Sequence, residues 1–69
     1  MYDIYCKVKR GLTKEQREAV GYYTYCNIQE DRYCGGVFYA PNGPREKELN
    51  AKTAEAAEKC KRLGCGQYC

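Results

Sequence analysis

The chain has 69 residues with six cysteines and no histidine, and at this length a domain buries only about 60% of its unfolded surface, so hydrophobic burial alone leaves it marginal. Twelve basic and nine acidic residues give a net charge of +3, which is too modest to indicate a nucleic-acid partner on its own. The absence of histidine excludes the Ser/His and Cys/His pairs of nucleophilic catalysis, and no apolar run approaches the ~18 residues that a membrane span requires.

The chain begins with a predicted strand followed by a predicted helix start. Residues 2–9 alternate between apolar and polar side chains, which is typical of a half-buried strand and places Cys6 on its inner face. Thr13 and Gln16 have the spacing of a capping box, in which each side chain accepts a hydrogen bond from the other residue's backbone N–H. We therefore expect a helix to begin just after Thr13.

The middle of the chain allows two interpretations. Gly21 indicates a helix end, and the tyrosine-rich segment 22–28 then favours a strand, because aromatic residues are enriched in strands. A single helix that continues to Cys26 is the alternative. A polar turn over 29–32 and a second strand over 33–40, which contains paired glycines, complete this part of the chain.

The last third predicts one long helix. The Pro-Asn-Gly-Pro sequence at 41–44 is a loop, and proline suits the first helical turn, so the helix begins near Pro44. It ends near Leu63, because Gly64 is a typical C-terminal cap, and 65–69 is then a short tail or edge strand. The predicted buried stripe consists of Leu49, Thr53, Ala56, Ala57, Cys60 and Leu63.

These elements sum to a single α+β domain over residues 1–69. The order strand, helix, strand, strand, helix, strand is that of the split βαβ arrangement, an antiparallel sheet with two helices on one face. Nothing in the composition indicates a second domain.

The cysteine content predicts a disulfide scaffold. Bridges contribute about 2–4 kcal/mol each, which a chain this small needs. No histidine and no Cys-x-x-Cys pair is present, so we predict neither a metal site nor any cofactor. Disulfides indicate an oxidising compartment, and we interpret Met1 as a start residue added to a mature secreted chain. The cysteines predicted to pair are Cys6, Cys26, Cys34, Cys60, Cys65 and Cys69.

Three families resemble parts of this chain. The helix that carries Cys60 and Leu63, followed by a short turn and Cys65, is similar to the small secreted α/β-sandwich proteins of the smut-fungus viral killer-toxin type. That resemblance implies a secreted toxin or host-directed effector without enzymatic activity. The spacing from Cys26 to Cys34, with Gly35 after it, resembles the Kunitz inhibitors.

The Kunitz resemblance implies a degenerate protease inhibitor or channel modulator as the alternative function. It would link Cys26 to Cys60 and Cys6 to one of the last two cysteines. Residues 32–39 also resemble the third-strand signature of the RNA-recognition motif, but Cys34 and Gly36 occupy its aromatic platform positions. We therefore predict no nucleic-acid partner.

The sequence predicts a monomeric, non-enzymatic, secreted binding protein with no catalytic residue. Its partner would be a protein or surface of a host or target cell. Two basic clusters and part of the tyrosine-rich segment form the candidate contact surface, because cations bind acidic partners and tyrosine is enriched in interfaces. The candidate residues are Lys7, Lys9, Arg10, Lys59, Lys61, Arg62, Tyr23 and Tyr25.

Overall fold

The computed structural model describes residues 1–68 as two long α-helices joined by a loop. Helix α1 is Lys14–Cys34 and helix α2 is Pro44–Arg62, and single 3₁₀ turns occur at Tyr2–Tyr5 and Gly66–Tyr68. The predicted α+β sandwich is wrong, because residues 1–68 contain no strand and therefore no antiparallel sheet for the helices to cover.

Helix α1 begins as the sequence predicts and ends much later. The Thr13 Oγ1 accepts the Gln16 backbone N–H at 3.1 Å, while the Gln16 Oε1 accepts the Thr13 N–H at 2.9 Å, so the capping box is confirmed. The helix then continues through Gly21, which disproves both the predicted helix end and the strand over 22–28. The alternative of a helix that reaches Cys26 was closer to the structure.

Tertiary burial explains why α1 continues. Ala19, Val20 and Cys26 are only 3–5% exposed and recur at helical spacing, so a helix buries them together on one face. A strand would have placed neighbouring residues on opposite faces. The preference of tyrosine for strands amounts to only a fraction of a kcal/mol at each position, and this packing overrides it.

The other predicted strands are also wrong. In the segment 2–9, Ile4 is 73% exposed although the alternation placed it inward, whereas Cys6 is buried as predicted. The segment 33–40 contains the end of α1 and part of an irregular connection, in which Val37 and Phe38 are at least 90% exposed. The polar segment 29–32 lies within α1 instead of forming a turn.

Helix α2 matches the prediction closely. Pro44 is its first residue, and all six residues of the predicted stripe are buried or half-buried. After Leu63, Gly64 has φ +78° and its N–H bonds to the Lys61 carbonyl at 3.1 Å, while the Cys65 N–H bonds to the Cys60 carbonyl at 2.9 Å. These two bonds form a Schellman motif, the glycine-dependent helix end.

The predicted tail strand over 65–69 is not present in its described part, since Gly66–Tyr68 forms a 3₁₀ turn. Cys69 lies outside the described residues.

The two helices run antiparallel. The Gln16 Nε2 donates to the Leu63 carbonyl at 2.7 Å and joins the start of α1 to the end of α2. Near the other end of the hairpin, the Thr53 Oγ1 donates to the Glu30 Oε1 at 2.9 Å. No helix within residues 1–68 combines the length and the apolar character that crossing a bilayer would demand.

The N-terminal arm, residues 1–12, packs along α1. A Cβ built on Gly21 would lie 2.6 Å from the Tyr2 carbonyl carbon, so only glycine lets the backbones approach this closely. The Tyr2 N–H donates to the Glu18 Oε2 at 2.8 Å, and the N-terminal amine of Met1 pairs with the same carboxylate. This fixes the direction in which the arm leads to Cys6.

Candidate binding surface

Three cysteines from distant parts of the chain meet in one buried cluster, which we call the cysteine core: Cys6, Cys60 and Cys65. Their exposed fractions are 2%, 0% and 0%. They pack with Ala19 and Val20 of α1, so the cluster joins the N-terminal arm, α1 and α2. The partly buried residues packed against it are Leu12, Tyr23 and Leu63.

The Schellman motif at the end of α2 explains why Cys60 and Cys65 lie together. In this motif the residue three positions before the cap and the second residue after it commonly make a side-chain contact, and these residues are Cys60 and Cys65. The Cys65 Sγ donates to the Cys60 carbonyl oxygen at 3.4 Å. Burial first, and then the neighbouring Cys60, raises the pKa of the Cys65 thiol, so this thiol is protonated at neutral pH.

The cysteine core brings the two basic clusters to the same end of the molecule. Lys7, Lys9 and Arg10 lie in the arm between Cys6, which belongs to the core, and Leu12, which packs against it. Lys59 and Lys61 flank the buried Cys60 in the last turns of α2. The six predicted cations are all exposed, and they are Lys7, Lys9, Arg10, Lys59, Lys61 and Arg62.

We call this part of the molecule the basic end, and it consists of residues 6–18 and 58–68. It contains eight of the twelve basic residues but only three of the nine acidic residues. The remaining residues carry four basic and six acidic side chains. The net charge of the protein is therefore concentrated at the end where the arm meets α2.

The structure separates the two predicted tyrosines. Tyr23 is half-buried and packs against the cysteine core at the basic end. Tyr25 packs instead against the rings of Tyr2 and Tyr5, with ring centroids 5.1 and 5.5 Å apart. These two tyrosines therefore do not form one contact surface.

A cleft between the two helices is a feature that the sequence analysis missed. Its volume is about 210 Å³ and it lies beside the ring of Tyr2, which the arm places against Tyr22 at a centroid distance of 4.9 Å. The helical spacing of Arg45, Leu49 and Lys52 is the signal that could have predicted its α2 side. The lining residues are Tyr2, Tyr22, Tyr25, Cys26, Gln29, Arg45, Leu49 and Lys52.

Two side chains in this cleft have altered acidity. Burial, and then the nearby Cys26, raises the pKa of Tyr22. Burial also raises the pKa of Cys26, although a hydrogen bond with Tyr22 acts in the opposite direction. Both groups are therefore neutral near pH 7, and the charges that line the cleft are those of Arg45 and Lys52.

The cysteines of α1 lie away from the cysteine core. Cys26 lines the cleft, and Cys34 is exposed at the end of α1, where the connection to α2 begins. No disulfide joins any two cysteines within residues 1–68, and in the same range no three cysteine or acidic side chains are arranged to hold a metal ion. Five of the six predicted disulfide positions therefore fall into two groups, the cysteine core and the two cysteines of α1, and Cys69 lies outside the described residues.

Comparison of the chain with protein-family models, with curated proteins and with solved structures finds no match in any of the three.

Proposed function

We propose that the protein is a secreted, cysteine-stapled binding protein without enzymatic activity, whose basic end binds an acidic protein surface on a host or target cell. The observation that carries this proposal is the position of the two basic clusters. They come from opposite ends of the chain, yet the cysteine core holds both at one end of the hairpin.

Helix electrostatics account for only part of this charge. Lys59, Lys61 and Arg62 complement the negative end of the α2 dipole, which favours them even without a partner. Lys7, Lys9 and Arg10 lie outside both helices, so neither helix requires them. Grouped cations repel one another, and an acidic partner would relieve that repulsion and accelerate association.

The toxin-like or effector-like character rests on the cysteine content and the exposed basic surface. The sheet that the killer-toxin resemblance implied is not formed by residues 1–68. The inhibitor alternative has no specific support, because α1 occupies residues 14–34, where a Kunitz inhibitor would need an extended protease-binding loop.

Binding to an acidic polypeptide tests the basic end. We expect poly-L-glutamate to bind the protein at low salt, and binding should weaken as salt rises from 50 to 200 mM, because screening shortens the range of charge attraction. The triple variant Lys7→Gln, Lys9→Gln, Arg10→Gln should bind roughly tenfold more weakly, because three exposed charges at about 0.5 kcal/mol each sum to about the 1.4 kcal/mol of a tenfold change. Isothermal titration calorimetry measures both effects.

A matched control carries the same change of net charge at the opposite end of the hairpin. The variant Arg32→Gln, Arg45→Gln, Lys47→Gln should bind within about twofold of the wild-type affinity, because these residues lie at the end of α1 and the start of α2. Equal weakening in both variants would show that only net charge matters and would contradict the proposal. Preferential binding to anionic phospholipid vesicles over poly-L-glutamate would also contradict it.

Secretion is tested by the redox state of the protein as its natural host produces it. Reduction should raise the intact mass by ~2 Da for each disulfide, because two hydrogens are added to each S–S bond. A protein that arrives with six thiols would contradict the secreted part of the proposal.

A further inference from the structure

The cysteine core restricts which disulfides the folded chain can form. Cys60 and Cys65 are adjacent because of the Schellman motif, and Cys6 reaches them because the arm is held along α1. A disulfide needs Cα atoms within about 7 Å of each other, so only cysteines that pack close together can pair without movement of the backbone.

The arm has little freedom to take Cys6 elsewhere. The Glu18 carboxylate holds the Tyr2 N–H and the N-terminal amine, and Gly21 admits the Tyr2 backbone. The Cys6 N–H bonds to the Asp3 carbonyl at 3.0 Å, which ends the 3₁₀ turn with Cys6 pointing into the core. The contacts at the start of this turn and the hydrogen bond that ends it thus fix the position of Cys6.

The cysteines of α1 are too far along the helix to compete. Cys26 and Cys34 are eight positions apart, which is about 12 Å along a helix axis, so they cannot bond to each other while α1 is intact. Cys6 packs in one cluster with Val20, and Cys26 and Cys34 lie six and fourteen positions further along α1, about 9 and 21 Å away along the axis.

We infer that Cys6 forms a disulfide with Cys60 or Cys65, and that Cys26 and Cys34 do not pair with each other. This inference rests on the proposed function, because it requires an oxidising environment. The two thiols lose two protons and two electrons to form the S–S bond, and a small disulfide oxidant such as oxidised glutathione accepts them and becomes two thiols. The bond ties the arm to the end of α2 beneath the basic end.

Peptide mapping tests the pairing directly. The protein is folded with reduced and oxidised glutathione, alkylated without reduction, and digested with trypsin in urea just below neutral pH, where trypsin is still active and thiol–disulfide exchange is slow. Cleavage after lysine and arginine separates all cysteines except the last two, which share a peptide. The cysteine-containing peptides are 1–7, 18–32, 33–45, 60–61 and 63–69.

Mass spectrometry should find peptide 1–7 linked to 60–61 or to 63–69. In the second case the Cys69→Ser variant must keep the link, because the inference assigns it to Cys65. A link from 1–7 to 18–32 or 33–45, or between those two, would overturn the inference. So would loss of the link in Cys69→Ser, or zinc bound in place of a disulfide.

A stability measurement provides an independent test. The Cys6→Ser variant should lose on the order of 15–30 °C in Tm in the oxidised protein, because it opens a loop of more than 50 residues. After reduction with dithiothreitol, the variant and the wild type should melt within a few degrees of each other. In the control variant Cys34→Ser, peptide 1–7 should remain disulfide-linked in the digest, and reduction should release it, as in the wild type.

The test separates the inference from the proposed function. Six thiols in the natural product would contradict secretion, while the protein folded with glutathione would still report the pairing. Oxidised natural protein with Cys6 linked to Cys26 would leave secretion intact and overturn the pairing.

Discussion

Gly21 is the residue on which the position of the N-terminal arm depends. It is buried in the middle of α1, where glycine normally costs about 1 kcal/mol relative to alanine. The close approach of the Tyr2 backbone explains why glycine stands there. A residue that resembles a helix end in the sequence is therefore a packing site in the structure.

Replacing Gly21 with alanine should change the free energy of unfolding in the opposite direction to the same replacement in a solvent-exposed helix. We expect Gly21→Ala to destabilise the protein by about 1–3 kcal/mol, because the methyl group displaces the Tyr2 backbone, although helix propensity alone favours alanine. Urea unfolding followed by circular dichroism measures this difference. An increase in the free energy of unfolding would show that the arm does not pack against Gly21.

Glu18 links the stability of the arm to pH. Hydrogen bonds from the N-terminal amine, and then from the Tyr2 N–H, lower the pKa of this carboxyl below its ordinary value of 4.5. Because the folded pKa is lowered, the stabilisation is fully present above pH 4.5 and is lost as pH falls through the folded pKa.

The variant Glu18→Gln should therefore lose less Tm between pH 5 and pH 2 than the wild type does. Thermal melts across this range measure the difference. The control Glu55→Gln removes an exposed carboxylate from α2 and should keep the wild-type acid dependence. Identical acid profiles for wild type and Glu18→Gln would contradict the contact between this carboxylate and the arm.

At the scale of the elements, helix starts and ends were predictable where local chemistry sets them. The capping box at Thr13, the loop before Pro44 and the glycine after Leu63 all act within one turn, and the structure confirms each. The continuation of α1 through residues 22–28 depends on contacts with α2 and the arm, which local sequence does not contain.

The N-terminal cap of α1 offers a test at this scale. We expect Thr13→Ala to lower the free energy of unfolding by about 1 kcal/mol, because the Gln16 N–H loses its acceptor. Thr24→Ala is the matched control, since Thr24 lies inside α1 and its hydroxyl bonds to the Val20 carbonyl of its own helix. That variant should be neutral within about 0.5 kcal/mol, as alanine has the higher helix propensity. Chemical denaturation of both variants decides whether the cap forms.

The candidate surface was predictable only in part, because local sequence does not contain the contacts that bring distant residues together. The six cations could be identified from the sequence, since clustered charge is visible there, but their common location depends on the cysteine core. The separation of Tyr23 from Tyr25 follows from the helix, which places residues two positions apart on nearly opposite faces. A strand, as the sequence predicted over 22–28, would have placed them on one face.

At the scale of the whole molecule, the helical hairpin predicts a specific spectroscopic outcome. Helices α1 and α2 contain 21 and 19 residues, so more than half of the chain is helical. Cα chemical shifts over residues 22–28 should show the helical deviation, and the amides of both helices should be protected from exchange. Strand-type shifts in this range would contradict the fold described above, and one unprotected helix would do the same.

The exposed apolar tip of the connection has a consequence for the covalent structure. Phe38 is 90% exposed in an irregular segment between the helices, which is where a chymotrypsin-like protease cuts most readily. A single cut there would divide the polypeptide into one piece with the arm and α1 and another with α2. With Cys6 bonded to the end of α2, the nicked product would persist as a two-chain molecule and would fall apart only in a reducing medium.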